Sequence, residues 1–247
     1  MIDPATDAST DATTDPPTDA ATDAALGPGS IPSLTRAQAR RVDEIAIGTH
    51  GMSGLVLMEN AGRDCADILM EQTDGPVAIC CGKGNNAGDG FVMARHLDNA
   101  GIEAAVLMTA SPGDLSPDAR ANYDLLAHCD VAIVESVAEW HRPVAAAAWL
   151  VDALLGTGAD GEPRSPLDAV IALMNGSNTP IMAVDVPSGL DADTGEQSAS
   201  CVQASLTATF VAPKVGFASK TAAGCLGLVE TVDIGVPRSI IDAAIRA

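Results

Sequence analysis

From residue 76 onward the chain repeats one arrangement, and that repetition constrains its fold more than any other feature. A short, continuous apolar run is followed by a polar turn and then, in most repeats, by a segment of helical period. The runs are "PVAICC", "EAAVLM", "VAIVES", "WLVDA", "PIMAV", "SLTATF" and "GLVETV". Each is too short for a helix and apolar at successive positions, so each reads as a strand buried on both faces. Helical segments at 86–100, "SPDARANYDLLAHC" and "SPLDAVIALMNGS" separate several of them. Strands of this kind joined by helices form a parallel sheet covered on both sides. The expected class is α/β: a Rossmann-like, doubly wound, mostly parallel sheet in a three-layer αβα arrangement, with two leading helices. The first of these is "SLTRAQARRVDEIAIGTHG", with Ser33 as its expected N-cap, and the second is "GLVLMENAGRDCADILMEQ". Residues 31–247 read as one domain.

The first 30 residues differ in kind. Asp recurs at 3, 7, 11, 15, 19 and 23 among Thr, Ala and Pro, without a single Lys or Arg. Like charges four residues apart repel on a helix, and Pro4, Pro16 and Pro17 interrupt the pattern, so a disordered acidic tail is expected.

Composition narrows the partners. The chain has 24 Asp and 9 Glu against 3 Lys and 10 Arg, for a net charge of −20, which excludes nucleic acid as an expected partner. Abundant Asp, scarce Lys and only 2% aromatic residues resemble the surfaces of proteins from salt-loving organisms; an ordinary acidic soluble enzyme is the alternative. No apolar run approaches the roughly 18 residues of a membrane span, and the N-terminus has neither a basic start nor an apolar stretch. A cytoplasmic protein without a membrane partner is expected. The cysteines at 65, 80, 81, 129, 201 and 225 form no C-x-x-C pair and have no His at ligand spacing, so free thiols are expected rather than zinc.

Ligands of open α/β sheets bind at the C-terminal ends of the strands. Three strands here end in unusual polar sequences, "CGKGNNAGDG", "VDALLGTGADGE" and "AVDVPSGLDADTG". The first fits neither G-x-G-x-x-G nor G-x-x-x-x-G-K-[ST]. Its glycines admit close approach of a ligand, while Asn85, Asn86 and Asp89 supply directed polar groups. Asp152 and Asp185 close buried strands, where a carboxylate must be paired, hydrogen-bonded or bound to a cation. With Ser188 and an asparagine carbonyl they make a hard oxygen set, suited to an alkali or alkaline-earth ion. His50, His96, His128 and His141 are scattered and read as structural or exposed. Lys83 and Lys214 read as surface lysines that could meet a phosphate.

Taken in order, "MENAGR", "GKGNNAGDGFVMARHL", "VDALLGTG", "VDVPSGLDADTG" and "FVAPKVG" give the chain its family likeness. Over residues 35 to 237 it resembles the NAD(P)H-hydrate epimerases. The resemblance implies an isomerase that interconverts the R and S forms of NADH or NADPH hydrated at C6 of the nicotinamide ring. A separate dehydratase that takes the S form then restores the cofactor. It implies a homodimer and one potassium ion per subunit, held by Asn86, Asp152 and Ser188. Substrate would contact Asn85, Asn86, Ala87, Gly88 and Asp89, the segment Gly156, Thr157, Gly158, Ala159, Asp160, Gly161 and Glu162, and Asp185. Asp185 is expected as the proton-transfer group, with Asp152 mainly a cation ligand at the catalytic centre. Two features depart from the family. Ala87 stands where many members have glycine, so its methyl is expected to narrow the approach to substrate. No fused dehydratase domain follows, so the dehydratase is expected to be a separate protein. Two other readings compete: an NAD(P)-dependent oxidoreductase, opposed by the missing dinucleotide fingerprint, and a non-catalytic nucleotide-binding module, opposed by the retained strand-end carboxylates.

Overall fold

The computed structural model describes residues 31–246; the expected disordered tail falls outside them. Seven strands form one sheet: β1 Val77–Cys81, β2 Ala104–Met108, β3 Ala132–Val134, β4 Trp149–Ala153, β5 Ile181–Val184, β6 Leu206–Phe210 and β7 Leu228–Val232. Their spatial order is β3-β2-β1-β4-β5-β6-β7, and every pairing is parallel. The sheet is therefore wholly parallel, where the sequence predicts only a mostly parallel one.

Period-two alternation sorts each strand's side chains between two cores. Ile79, Val106, Val151 and Val184 face one core, while Cys80, Leu107, Leu150 and Ala183 face the other. Helices α1 Arg36–Asp43, α2 Gly54–Met70, α3 Asn85–Asn99 and α4 Pro117–Leu125 close the first side. The short α5 His141–Ala146 and α6 Leu167–Gly176 cover the second, around the fully buried Trp140. A further short helix, α7 Ala223–Leu226, precedes β7. With helices on both faces, the arrangement is the three-layer one expected.

Two local expectations need correction. Ser33 does not cap the first helix. Leu34 is instead drawn into a bridge beside Lys214, its N–H donating to Pro213 O at 2.9 Å. The cap falls to Thr35, which forms a reciprocal capping box with Gln38. After Asp43 the helix widens into a π-helical turn over Glu44–Thr49. The chain also closes with a helix that the strand pattern does not predict, α8 Arg238–Arg246, which buries Ile240, Ile241 and Ala244 against the first core.

The chain leaves β1 for β2 and β3, then returns to place β4 on the other side of β1. Such a reversal opens a crevice beyond the carboxyl ends of the two central strands.

Candidate active site at the strand ends

A cavity of about 1220 Å³ occupies that crevice. It exceeds the usual small-molecule pocket of about 300–1,000 Å³, leaving room for a dinucleotide. Five of the chain's thirteen Lys and Arg residues line it: Arg36, Arg40, Lys83, Arg164 and Lys214. Seven of the twenty-seven acidic residues among those described do so, a smaller share. Cations are thus concentrated here on an otherwise acidic protein, as an anionic ligand requires.

The turn after β1 supplies the first wall. Gly84 begins α3 without a side-chain cap, so the helix's first N–H groups are open to an anion, with Lys83 beside them. Asn85, Asn86 and Asp89 line the cavity. Ala87 and Gly88 do not; they are buried, and Ala87 belongs to the first core. The Ala87 methyl therefore stands in the packing between elements, not over the ligand space as its sequence position suggests. Asn86 is 8% exposed, and its amide nitrogen has no acceptor among the described residues.

β4 and the loop after it form the floor. Asp152 is fully buried in the middle of the sheet, its Cα paired with Cys80 on one side and Ala183 on the other. Ser188 reaches it from beyond β5: the Ser188 N–H donates to Oδ2 at 2.7 Å and the Ser188 hydroxyl to Oδ1 at 2.7 Å. The Leu154 N–H adds a third bond at 3.2 Å. Burial pushes the Asp152 carboxyl up to about 6, and these donors only partly oppose it. No Lys, Arg or His forms an ion pair with Asp152 among the described residues. All of Gly156, Thr157, Gly158, Ala159, Asp160, Gly161 and Glu162 border the cavity. A Cβ on Gly156 would sit 3.3 Å from both Asn86 Oδ1 and Asp185 Oδ2, so this glycine lets the loop close against both side chains. Arg36 Nη1 ties the loop to α1 through Asp160 at 3.4 Å.

Asp185 stands at the carboxyl end of β5 in a left-handed conformation, φ +67°. The Val186 N–H donates to Val184 O at 2.9 Å, closing a γ-turn around it. The neighbouring strand repeats the device. Val211 has φ +68°, and the Ala212 N–H donates to Phe210 O at 2.8 Å. Positive φ is unfavourable for a β-branched residue, and strain of this kind collects at functional sites. The two turns bring Asp185 and Lys214 together. Lys214 Nζ lies 2.9 Å from Asp185 Oδ1 and also donates to Thr209 Oγ1, Phe210 O and Ala212 O. With 1% exposure, Lys214 is not the surface lysine expected from sequence, whereas Lys83 is exposed. Burial works against the Asp185 charge, but Lys214 and the Thr157 N–H at 3.0 Å outweigh it and hold the carboxyl below its ordinary range.

One further acid was not legible in the sequence. Asp43, at the end of α1, projects into the cavity. Its side chain is exposed at the cavity wall yet has protein on several sides; that enclosure first, then the charge of Asp185, raise it to about 6. Nothing in "RRVDEIA" marks it, because its position depends on how α1 packs beside Lys214. The cysteines are free, as expected, and no cluster of three or more His, Cys, Asp or Glu suited to a metal occurs among the described residues. No helix among them is long and apolar enough to cross a membrane.

Comparison with known proteins shows the family. Residues 54–216 match the family described as YjeF-related protein N-terminus. An NAD(P)H-hydrate epimerase from Pirellula staleyi is 43% identical over 84% of this chain and 94% of its own. One from Rhodopirellula baltica is 40% identical over 85% and 87%. A bifunctional NAD(P)H-hydrate repair enzyme from Moorella thermoacetica is 38% identical, and the match spans 41% of that longer protein. The crystal structure of a yeast protein superposes with a TM-score of 0.74 at 22% identity, covering 87% of this chain and 93% of its own.

Proposed function

The chain belongs to the family of YjeF-related protein N-termini, and from that premise we propose that it epimerises NADH and NADPH hydrated at C6 of the nicotinamide ring. One observation carries the proposal: Asn86, the 156–162 loop and the Asp185–Lys214 pair converge from four strand ends on one cavity large enough for a dinucleotide. The diphosphate would rest on the open N-terminus of α3 beside Lys83, and the damaged ring beside Asp185.

The hydrate carries a hydroxyl on a carbon bonded to the ring nitrogen. The nitrogen lone pair expels that oxygen once it is protonated, and water returns to the other face. Asp185, held as a carboxylate by Lys214, is suited to accept the proton of the returning water. Thr157 N–H fixes the orientation of its second oxygen.

The residues also fit a potassium ion. Asp152 is buried without a basic partner, Ser188 Oγ borders it, and the remaining donor, Asn86 Oδ1, is a neutral oxygen. Asn86, Asp152 and Ser188 would hold it, and its charge would order the loop walls and favour anionic substrate. Asp152 thereby serves the centre as a ligand. Residues 31–247 would act as one domain of a cytoplasmic homodimer, working with a dehydratase that takes the S form.

The test supplies an R and S hydrate mixture, in high potassium chloride, with a dehydratase specific for the S form. Recovery of NADH absorbance from the residual R form should accelerate on adding this protein and not on adding Asp185→Asn. No acceleration by folded wild-type protein would refute the epimerase reading.

A further inference from the structure

Asp185 starts as a carboxylate, so it cannot supply the proton that lets the hydroxyl leave. Inversion at C6 needs a second group, protonated at the outset, and the cavity contains one. We propose that Asp89 is the proton donor to the C6 hydroxyl, working with Asp185 as the acceptor of the proton released by the incoming water. This rests on the epimerase reading and assigns the half of the reaction that Asp185 leaves open.

The geometry singles out Asp89 among the carboxyls of the site. Asp152 takes three hydrogen bonds, and Asp185 takes an ion pair and an N–H. Asp89 is 5% exposed, borders the cavity and has no hydrogen-bond or ion-pair partner among the described residues. A buried carboxyl left this way is far cheaper neutral than charged. It lies three residues beyond Asn86, on the same face of α3. Asn86, whose buried amide nitrogen has no acceptor among the described residues, lines the same cavity, so two polar side chains lacking partners border the space where the ligand would bind.

The charges around Asp89 act in the same direction. Asp185 beyond β5 and Asp43 on α1 face it with negative charge, and Cys65 faces it from α2. Lys214 is committed to Asp185. Burial first, then Asp185 and Asp43, push the Asp89 carboxyl well above its ordinary range. Carboxyl groups driven apart in this way take opposite roles in acid–base catalysis.

The step balances. Asp89 gives its proton to the C6 oxygen, the C6–O bond breaks with its electron pair leaving as water, and the N1 lone pair forms a C=N bond. Water then adds to C6 from the other face, its proton passes to Asp185, and the C=N electrons return to nitrogen. Asp89 ends charged and Asp185 protonated, the arrangement from which the reverse epimerisation begins. For a further turnover in the same direction, Asp185 gives up its proton to solvent and Asp89 takes one from it.

The experiment compares full-length wild type with Asp89→Asn in the coupled assay, across pH, with binding of intact NADPH measured separately. The variant should lose at least about 100-fold in kcat, the range of a missing general acid, with KM and NADPH affinity changed less than about threefold. Wild-type kcat/KM should fall at alkaline pH, and that limb should vanish in the residual activity of the variant. Should the variant not fold, carbon NMR of the wild-type aspartate carboxyls replaces it: Asp89 protonated at pH 7 supports the assignment. A variant that keeps a third or more of wild-type kcat with the same pH profile, or an Asp89 ionised below pH 5, overturns it. An inactive wild type whose Asp89 is protonated instead overturns the epimerase reading.

Discussion

Lys214 Nζ lies 2.9 Å from Asp185 Oδ1, and neither residue has more than slight access to water. Removing one member of such a pair leaves an uncompensated charge inside the protein. Lys214→Met should destabilise the fold by about 3–5 kcal/mol at pH 7, measured by chemical denaturation. The pH dependence should also change sign. In wild type the depressed Asp185 contributes stability above the ordinary carboxylate pKa, and this is lost as pH falls through its lower folded value. In Lys214→Met only the Thr157 N–H still opposes burial, the largest influence on Asp185, so its carboxyl rises and the variant should gain stability as pH falls toward 4. Adding Asp185→Asn should recover part of the loss, a non-additivity that a double-mutant cycle reads directly.

Potassium should stabilise the protein in a pH-dependent manner. Raising Asp152 from 3.8 to about 6 costs the folded state about 3 kcal/mol once the pH exceeds that value, because the unfolded chain ionises more readily. A cation beside the carboxylate offsets this cost, whereas a proton on Asp152 competes with the cation. The melting temperature in KCl, relative to NaCl at equal ionic strength, should therefore be raised at pH 8. The difference should shrink below pH 6 and be absent in Asp152→Asn.

Asp43 should tune the site without being required for folding. Its negative charge raises Asp89. Removing that charge in Asp43→Asn makes Asp89 easier to ionise, so the alkaline loss of activity should begin at lower pH. An unchanged alkaline limb in the pH–rate profile would separate Asp43 from the chemistry.

The Ala87 methyl should contribute to stability, not to selection of substrate. It is buried in the core between α3 and its neighbours and does not border the cavity. Ala87→Gly should cost about 1 kcal/mol through helix propensity alone, and more through the lost packing. KM for the hydrate should stay within about twofold. A lower KM in the variant would show that the methyl reaches the ligand after all.

The fate of the C6 oxygen distinguishes two chemical routes. Loss and return of water exchanges it with solvent at every inversion, whereas opening and reclosure of the ring retains it as an aldehyde oxygen. Acid–base groups that protonate the hydroxyl favour the first route. Hydrate epimerised in oxygen-18 water should therefore gain label at the rate of epimerisation, followed by mass spectrometry. Inversion without label would identify ring opening.

Short-range patterns in the sequence carried most of the architecture. Apolar runs such as "VAICC" and "IMAV" specify buried strands because their length and continuity suit nothing else, and the intervening helical periods force parallel connections. The same local logic marked Asn86, Asp152, Asp185 and Ser188 as strand-end polar groups. What a residue meets across the fold is a different kind of information. Asp43 carries no local sign of the cavity, and Lys214 reads locally only as a surface lysine that could meet a phosphate; it becomes a buried partner because two γ-turns on neighbouring strands aim it at Asp185. Leu34 displaces the helix cap from Ser33 to Thr35 because a distant segment pairs with it. Ala87 turns its methyl inward because α3 packs one face against its neighbours, and α8 has no counterpart in the strand pattern because it is a single amphipathic segment lying beyond it. The sequence by itself determined which residues form strands, turns and helices, through propensity and period. The partner of each buried charge, and hence which carboxyl is neutral and which is ionised, was decided only by tertiary packing, because burial and charge act through space between elements remote in the chain.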